Sequence, residues 1–203
     1  DIRKLEQTDY ENLLQIIGEK GGGTVAVLLI GNPMPQSRQP YFLNLPVLEN
    51  ITPYDPRDPK LTLSQKGAIK ARNDKIIAAN QNVLQNNKQG IADFVNQKLK
   101  PNILTYKPAG SDHTDLGDAL QRVNVIIHEP QYKTYDKIVV AFISDGIDNS
   151  ADKAGSKSKV VEYDKAEVYL VGWTSSVDCF RVKSTDMLSE KNSLIEIIKN
   201  LKK

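Results

Sequence analysis

A short apolar run that ends in an acidic turn constrains this chain more than any other stretch. Residues Ile138 to Ile143 are all apolar, with many β-branched side chains, and the run is too short for a typical helix. Polar and apolar residues do not alternate in it, as they would in a strand with one solvent-exposed face, so it predicts a strand covered on both faces. Ser144, Asp145 and Gly146 follow, at the strand end where α/β sheets bind ligands. Asp145 is therefore a candidate functional residue, and a simple Asp-Gly turn is the alternative.

Strand and helix patterns alternate along the rest of the chain. Apolar spacing predicts helices over 8–17, 64–99, 115–128 and 186–201, and further strands over 24–30, 102–106 and 167–172. The middle of 64–99 is so polar that two helices with a break near Gly90 are an equal alternative. The alternation predicts an α/β fold: a doubly wound, mostly parallel open sheet with helices on both faces, in a Rossmann-type three-layer arrangement.

A proline-rich stretch separates the first strand from the long helix. Residues 31–60 contain seven prolines, a density that excludes a regular helix or a central strand. Apolar residues between 41 and 51 predict an irregular segment that is ordered and packed on the domain. We therefore interpret 1–203 as a single domain that carries this insertion.

Composition excludes several classes of function. The formal charge is +2 over 203 residues, and the lysines are dispersed, so we expect no nucleic-acid partner. No apolar run approaches the roughly 18 residues that cross a bilayer, so we expect a soluble chain without membrane insertion. The single cysteine, Cys179, excludes an internal disulfide and a multi-cysteine zinc site. The compartment stays open, with an extracytoplasmic location favoured over a cytoplasmic one.

Three stretches, in order, resemble the von Willebrand factor A (vWA) domain, also called the integrin I-like domain. They are the apolar strand at 25–30, the loop Gly110-Ser111-Asp112-His113-Thr114-Asp115 leading into an Ala-Leu helix, and the strand at 139–146 that ends in Ser-Asp-Gly. The resemblance implies a metal-ion-dependent adhesion site (MIDAS) for Mg²⁺ or Mn²⁺. Thr114 and Asp145 fall on its second and third loop positions. Thr114 is also a good N-cap residue, which is the structural alternative.

The first loop departs from the pattern of the family. The resemblance calls for Asp-x-Ser-x-Ser after the first strand, whereas this chain has Gly-Asn-Pro-Met-Pro-Gln-Ser at 31–37. Magnesium prefers near-octahedral oxygen ligands, so the loss of an anionic partner and two hydroxyls weakens the site. We therefore expect a degenerate MIDAS with no bound cofactor, or with weakly bound Mg²⁺ or Mn²⁺.

The resemblance implies a non-catalytic module that binds a protein partner through the carboxyl end of the sheet. Besides the residues of the metal site, the expected contact surface contains Asn32, Ser37, Asp112, Asp115 and Asp148. The alternative is a hydrolase or nucleotide-using α/β enzyme with Asp145 at the active site. Enzyme motifs are poor, however: the glycine run at 21–23 precedes a strand, whereas a phosphate loop follows one, and no Gly-x-Ser-x-Gly elbow is present. A structural domain within a larger assembly is a third interpretation.

Overall fold

The computed structural model describes residues 5–30, 39–106, 116–135, 137–144, 166–172, 185–188 and 191–200. Its elements are α1 (Gln7–Lys20), β1 (Gly23–Val27), β2 (Tyr41–Leu45), α2 (Leu63–Phe94), a π-helix (Val95–Leu104), α3 (Leu116–Ile127), a 3₁₀ turn (Pro130–Tyr132), β3 (Ile138–Ile143), β4 (Ala166–Val171), β5 (Thr185–Leu188) and α4 (Lys191–Asn200). The chain is thus mixed α/β. None of the described helices is both long and apolar enough to cross a membrane.

A parallel sheet carries the strand around which the sequence is organised. It has three strands in the order β3-β4-β5, and both neighbouring pairs run parallel. Parallel neighbours require crossover connections of about a dozen or more residues. Residues 144–165 and 172–184 supply the two connections. The strands predicted at 138–143 and 167–172 are confirmed, the second with a shift of one residue.

Helices cover this sheet on both faces, because neighbouring side chains of a strand point to opposite sides. Val140, Phe142, Val168 and Leu170 pack in one buried cluster with Leu116 and Leu120 of α3. On the other face, Tyr169 and Val171 pack with Leu194 and Ile198 of α4, and residues of α1 join them. The predicted cover of β3 is therefore present in part: its side chains pack in clusters on both faces, but Ala141 is exposed.

The first predicted strand takes a different place from the one expected. It was predicted as a buried strand of the parallel sheet, but β1 is half-buried and pairs antiparallel with β2 in a two-stranded sheet. The described residues therefore form two small separate sheets and do not show the predicted doubly wound, open parallel sheet. The pairing partner Tyr41–Leu45 was predicted to be irregular, and that was wrong. This short stretch contains no proline, so every one of its backbone N–H groups can enter a ladder.

The predicted long helix is present without a break at Gly90. It continues past Phe94 as the π-helix, in which Val95 and Leu99 are fully buried. The strand predicted at 102–106 is wrong, because most of that stretch belongs to the π-helix. The N–H of Thr105 reaches back five residues to the carbonyl of Lys100, the spacing of a π turn. Pro101, which cannot donate a helical hydrogen bond, lies inside the π-helix, six residues after its start at Val95.

The remaining elements agree with the predicted pattern except at their ends. Helix α1 begins at Gln7, where the Glu6 N–H donates to Asp9 Oδ2 at 2.7 Å, instead of at a cap on Thr8 or Asp9. The predicted helix at 115–128 is α3. The helix predicted over 186–201 is wrong in its first turn, because β5 occupies Thr185–Leu188 and α4 begins at Lys191.

Candidate functional site at the carboxyl end of the parallel sheet

The residues predicted for the metal site and the contact surface lie outside the described part of the chain. They are Asn32, Ser37, Asp112, Thr114, Asp115, Asp145 and Asp148, and the segment around Trp173 lies outside it as well. The structure does describe the residues on either side of these loops.

Three of these flanking positions belong to one hydrophobic cluster. Leu116, the first residue of α3, and Phe142, next to the end of β3, are buried in it. Ile30, the last described residue before the 31–38 loop, packs against the same cluster. Beyond β3, the Ser144 N–H donates to the carbonyl of Val171 at 3.1 Å and so holds the end of β3 beside the end of β4. The described ends of the three loop-bearing segments thus contact one hydrophobic cluster on one face of the sheet.

An arginine connects two of these segments directly. Arg122 on α3 donates from Nη2 to the carbonyl of Leu29 at 3.0 Å. Its Nε lies 2.8 Å from Asp118 Oδ2, one helical turn earlier. Asp118 lies in the first turn of α3, where a carboxylate is favoured by the helix dipole. This pair was not among the residues predicted for the site, although Asp and Arg four residues apart on a helix are a recognisable signal.

Among the described residues that flank this site, there is no resolved pKa shift and no group of side chains that could hold a metal ion. Within the described ranges, no group of three or more His, Cys, Asp or Glu side chains could hold a metal ion. Burial, and then the charge of Asp9, raises the pKa of Tyr10 to about 12, but Tyr10 lies on α1. The pKa of Glu167 is lowered mainly by a hydrogen bond from Lys137, and this pair lies at the amino end of β3 and β4, away from Ser144.

A second concave surface lies where the strands β1 and β3 begin. It is an open groove of about 480 Å³, to which β1, β2 and the segment before β3 contribute residues. Its lining is Gly23, Thr24, Asn44, Leu45, Pro46, Val47, Gln131, Tyr132 and Tyr135. No sequence pattern indicated this groove, because its residues come from three distant stretches and match no motif.

Scans against protein-family models, curated proteins and solved structures find no match to this chain. The resemblance to vWA domains thus rests on the three stretches quoted above.

Proposed function

We propose that this chain is a vWA-like, non-catalytic module that binds a protein partner through the carboxyl end of its parallel sheet. The contact surface consists of Asn32, Ser37, Asp112, Asp115 and Asp148, arranged around Thr114 and Asp145. Binding is independent of metal or only weakly dependent on it.

One observation carries the proposal: Ile30, Leu116 and Phe142 belong to a single packed cluster. Thr114 is two residues from Leu116 and Asn32 is two from Ile30, while Asp145 follows Ser144 directly. Because each residue extends a chain by at most about 3.6 Å, these predicted residues lie within a short reach of side chains that pack in this one cluster. This supports a shared rim for the three loops.

The sheet beneath that rim supports the same interpretation. Its strands run parallel and helices cover both faces, and sheets of this kind bind their ligands beyond the carboxyl ends of the strands. The contact between Arg122 and Leu29 ties the chain before the first loop to the helix after the second. A recognition surface built from loops benefits from such rigid supports.

The chemistry of the predicted ligands favours metal-independent recognition. Thr114 and Asp145 offer one hydroxyl and one carboxylate, and the first loop adds neither the acidic residue nor the serines of the family pattern. Magnesium is held through a few carboxylates in near-octahedral geometry. A site with a single matched carboxylate binds Mg²⁺ weakly. The affinity for the partner protein therefore comes from direct contacts with the side chains and backbone of the loops.

Site-specific photo-crosslinking tests the proposed contact surface. A photoreactive amino acid is placed at Asp112 or Asp148, and, as a matched control, at the exposed Lys88 on α2. The tagged full chain is irradiated in an extract of its source, and adducts are identified by mass spectrometry. We expect one recurrent protein adduct from the two rim positions and none from Lys88. Equal adducts from Lys88, or none from the rim, would contradict the proposal.

A further inference from the structure

Residues 46–54 lie along α2 as a strap that has no secondary structure of its own. Within the described residues, four hydrogen bonds join this strap to the rest of the chain. Asn80 exchanges two of them with the backbone of Glu49, at 2.9 and 2.8 Å. Asn73 exchanges the other two with the backbone of Thr52, also at 2.9 and 2.8 Å. Two side chains of α2 thus hold the whole strap.

The strap buries little of its own surface. Leu48 and Tyr54 are half-buried, and the other strap residues are exposed, with Val47 at 70% and Ile51 at 49%. Within the described residues, no ion pair adds to the four hydrogen bonds. Segments with few buried apolar contacts open locally at a free energy well below that of global unfolding. The strap can therefore leave α2 while the rest of the chain stays folded.

Opening of the strap uncovers a surface on α2 that is already shaped for an extended chain. Ile76 lies on the same helix face as Asn73 and Asn80, because residues three and four apart are neighbours on a helix. Ile76 is 6% exposed, yet it does not belong to the hydrophobic clusters around the two sheets. The strap, which the two asparagines hold across this face, is therefore its cover. The uncovered surface has an apolar centre with one amide group on each side.

The two amide groups define which ligand fits this surface. Each offers a donor and an acceptor to the backbone of a single residue, so the site recognises main chain and not side chains. Seven helical residues rise about 10.5 Å, which matches about 10 Å for three extended residues. The ligand is thus an extended peptide with backbone N–H groups three residues apart, and proline is excluded at both positions. A helix fits less well, because its backbone groups bond within the helix.

We propose that the face of α2 formed by Asn73, Ile76 and Asn80 binds an extended segment of a partner protein, and that the strap occupies this site as an intramolecular competitor. The partner's segment replaces the strap and repeats its backbone contacts. Because the strap is tethered beside the site, it competes at an effective concentration on the order of millimolar. The site lies on α2, so this proposal does not depend on the function proposed for the carboxyl end of the parallel sheet.

Native-state hydrogen exchange of the unaltered chain tests the opening of the strap. We expect the backbone amides of Glu49 and Thr52 to be less protected than those of Ile91 and Phe94, by at least about a hundredfold. Ile91 and Phe94 are buried in the later part of α2, so they report on the folded core. Equal protection of the two pairs would show that the strap opens only when the whole chain unfolds, and it would overturn the proposal.

Fluorescence anisotropy with the full chain tests the binding site. The probe is a labelled peptide with the sequence of residues 46–54, and the control probe has proline in place of Glu49 and Thr52. Thr52→Pro in the chain removes one hydrogen bond of the strap and leaves α2 intact, so it should raise the affinity for the probe by about tenfold. Adding Asn73→Leu to that variant should lower the affinity again by about tenfold, because the probe then loses its own contact.

A matched control and the oligomeric state complete the test. Asn82 is exposed on the same helix, so adding Asn82→Leu to the Thr52→Pro variant should leave the affinity unchanged. Three results would overturn the proposal: no binding of the probe to Thr52→Pro, equal binding of the control probe, or equal affinity of the unaltered chain and Thr52→Pro. A dimer of the unaltered chain that Asn73→Leu dissolves would also overturn it, because a second copy would then be the occupant.

Discussion

Gly22 shows how one residue fixes the junction between α1 and β1. Its φ is +81°, and an added Cβ would lie 2.4 Å from the carbonyl oxygens of both Leu45 and Pro46. Neither backbone oxygen can move without disturbing β2. The neighbouring Gly21 also has a positive φ, +136°, but nothing lies within 4 Å of its added Cβ. Substitution of Gly21 therefore introduces backbone strain alone, whereas substitution of Gly22 introduces both backbone strain and a steric clash.

We predict that Gly22→Ala destabilises the chain by about 2–4 kcal/mol, since strain and overpacking add. Gly21→Ala should cost about 1–2 kcal/mol, from strain alone. Urea unfolding of both variants measures the difference. Equal losses would show that β2 yields to the added methyl group.

Tyr10 provides a titration that reports on α1. Its pKa is raised from 10.0 to about 12, first by burial and then by Asp9. Because the folded pKa lies above the unfolded one, the folded state favours the neutral phenol. We predict that this contribution to stability is complete below pH 10 and disappears as the pH rises from 10 to about 12. Ultraviolet difference titration measures the pKa directly, and Tyr10→Phe should remove the late step. A late step that persists in Tyr10→Phe would assign it to another tyrosine.

At the scale of elements, two asparagines bind an extended segment along α2. Asn73 accepts from the Thr52 N–H at 2.9 Å and donates to its carbonyl at 2.8 Å. Asn80 makes the same pair of bonds with Glu49, at 2.9 and 2.8 Å. Seven helical residues rise about 10.5 Å and three extended residues span about 10 Å, so the two spacings match. This match explains how a proline-rich segment stays ordered without secondary structure.

The next asparagine in this series, Asn87, lacks the same partner. Three residues before Glu49 stands Pro46, which has no N–H to donate, so the paired bonds cannot form. Asn87 is 4% exposed, and its Nδ2 has no hydrogen-bond partner among the described residues. It packs instead beside Gly18 of α1, where an added Cβ would lie 3.5 Å from Nδ2.

We predict opposite effects for two substitutions in this series. Asn73→Leu leaves the backbone groups of Thr52 without partners and should cost about 1–3 kcal/mol, whereas Asn87→Leu should raise stability by about 0.5–1.5 kcal/mol. The exposed Asn82→Leu on the same helix is the control, expected within about 0.5 kcal/mol of wild type. Urea unfolding gives the three values, and amide hydrogen exchange should show loss of protection at Thr52 in Asn73→Leu only. Destabilisation by Asn87→Leu would contradict this interpretation of its amide.

At the scale of the molecule, α1 joins the two sheets. Leu14 belongs to the cluster around α2, the π-helix and β2, whereas Leu13 and Ile16 pack against the second face of the parallel sheet. Ile17 packs against both clusters. One helix buried on two sides couples the clusters, so we expect the chain to unfold as one unit, in line with a single domain.

This coupling predicts the behaviour of two distant core variants. Phe142→Ala empties the cluster between α3 and the sheet, and Leu99→Ala empties the cluster under the π-helix, each at a cost of about 2–5 kcal/mol. Both should lower the urea midpoint of one shared transition with the slope unchanged. Far-ultraviolet and near-ultraviolet circular dichroism should give coincident curves. A biphasic curve in either variant would indicate two independent units.

Metal dependence is also a property of the whole molecule, because a ligand that binds only the folded state raises its stability. We predict that millimolar Mg²⁺ or Mn²⁺, added after EDTA treatment, leaves the melting temperature unchanged. A site filled to a hundredfold excess over its dissociation constant would instead add about 2.7 kcal/mol. A shift that Asp145→Ala abolishes would establish a metal-dependent site and overturn the metal-independent version of the proposal.

The sequence by itself determined the elements whose patterns are local. The unbroken apolar run of β3 indicated a strand with contacts on both faces, and the spacing of apolar residues in α2 and α3 indicated helices. The local pattern could not predict which strands pair with each other. Nothing in 24–30 distinguishes a central strand of a parallel sheet from a strand that pairs antiparallel with Tyr41–Leu45. Likewise, the apolar residues of 102–106 fit a strand or a helix, and in the structure most of this stretch continues the π-helix in which Val95 and Leu99 are buried. Strand pairing, the asparagine contacts along α2 and the tyrosine groove all join residues far apart in the chain, and only tertiary packing brings those groups within reach of one another.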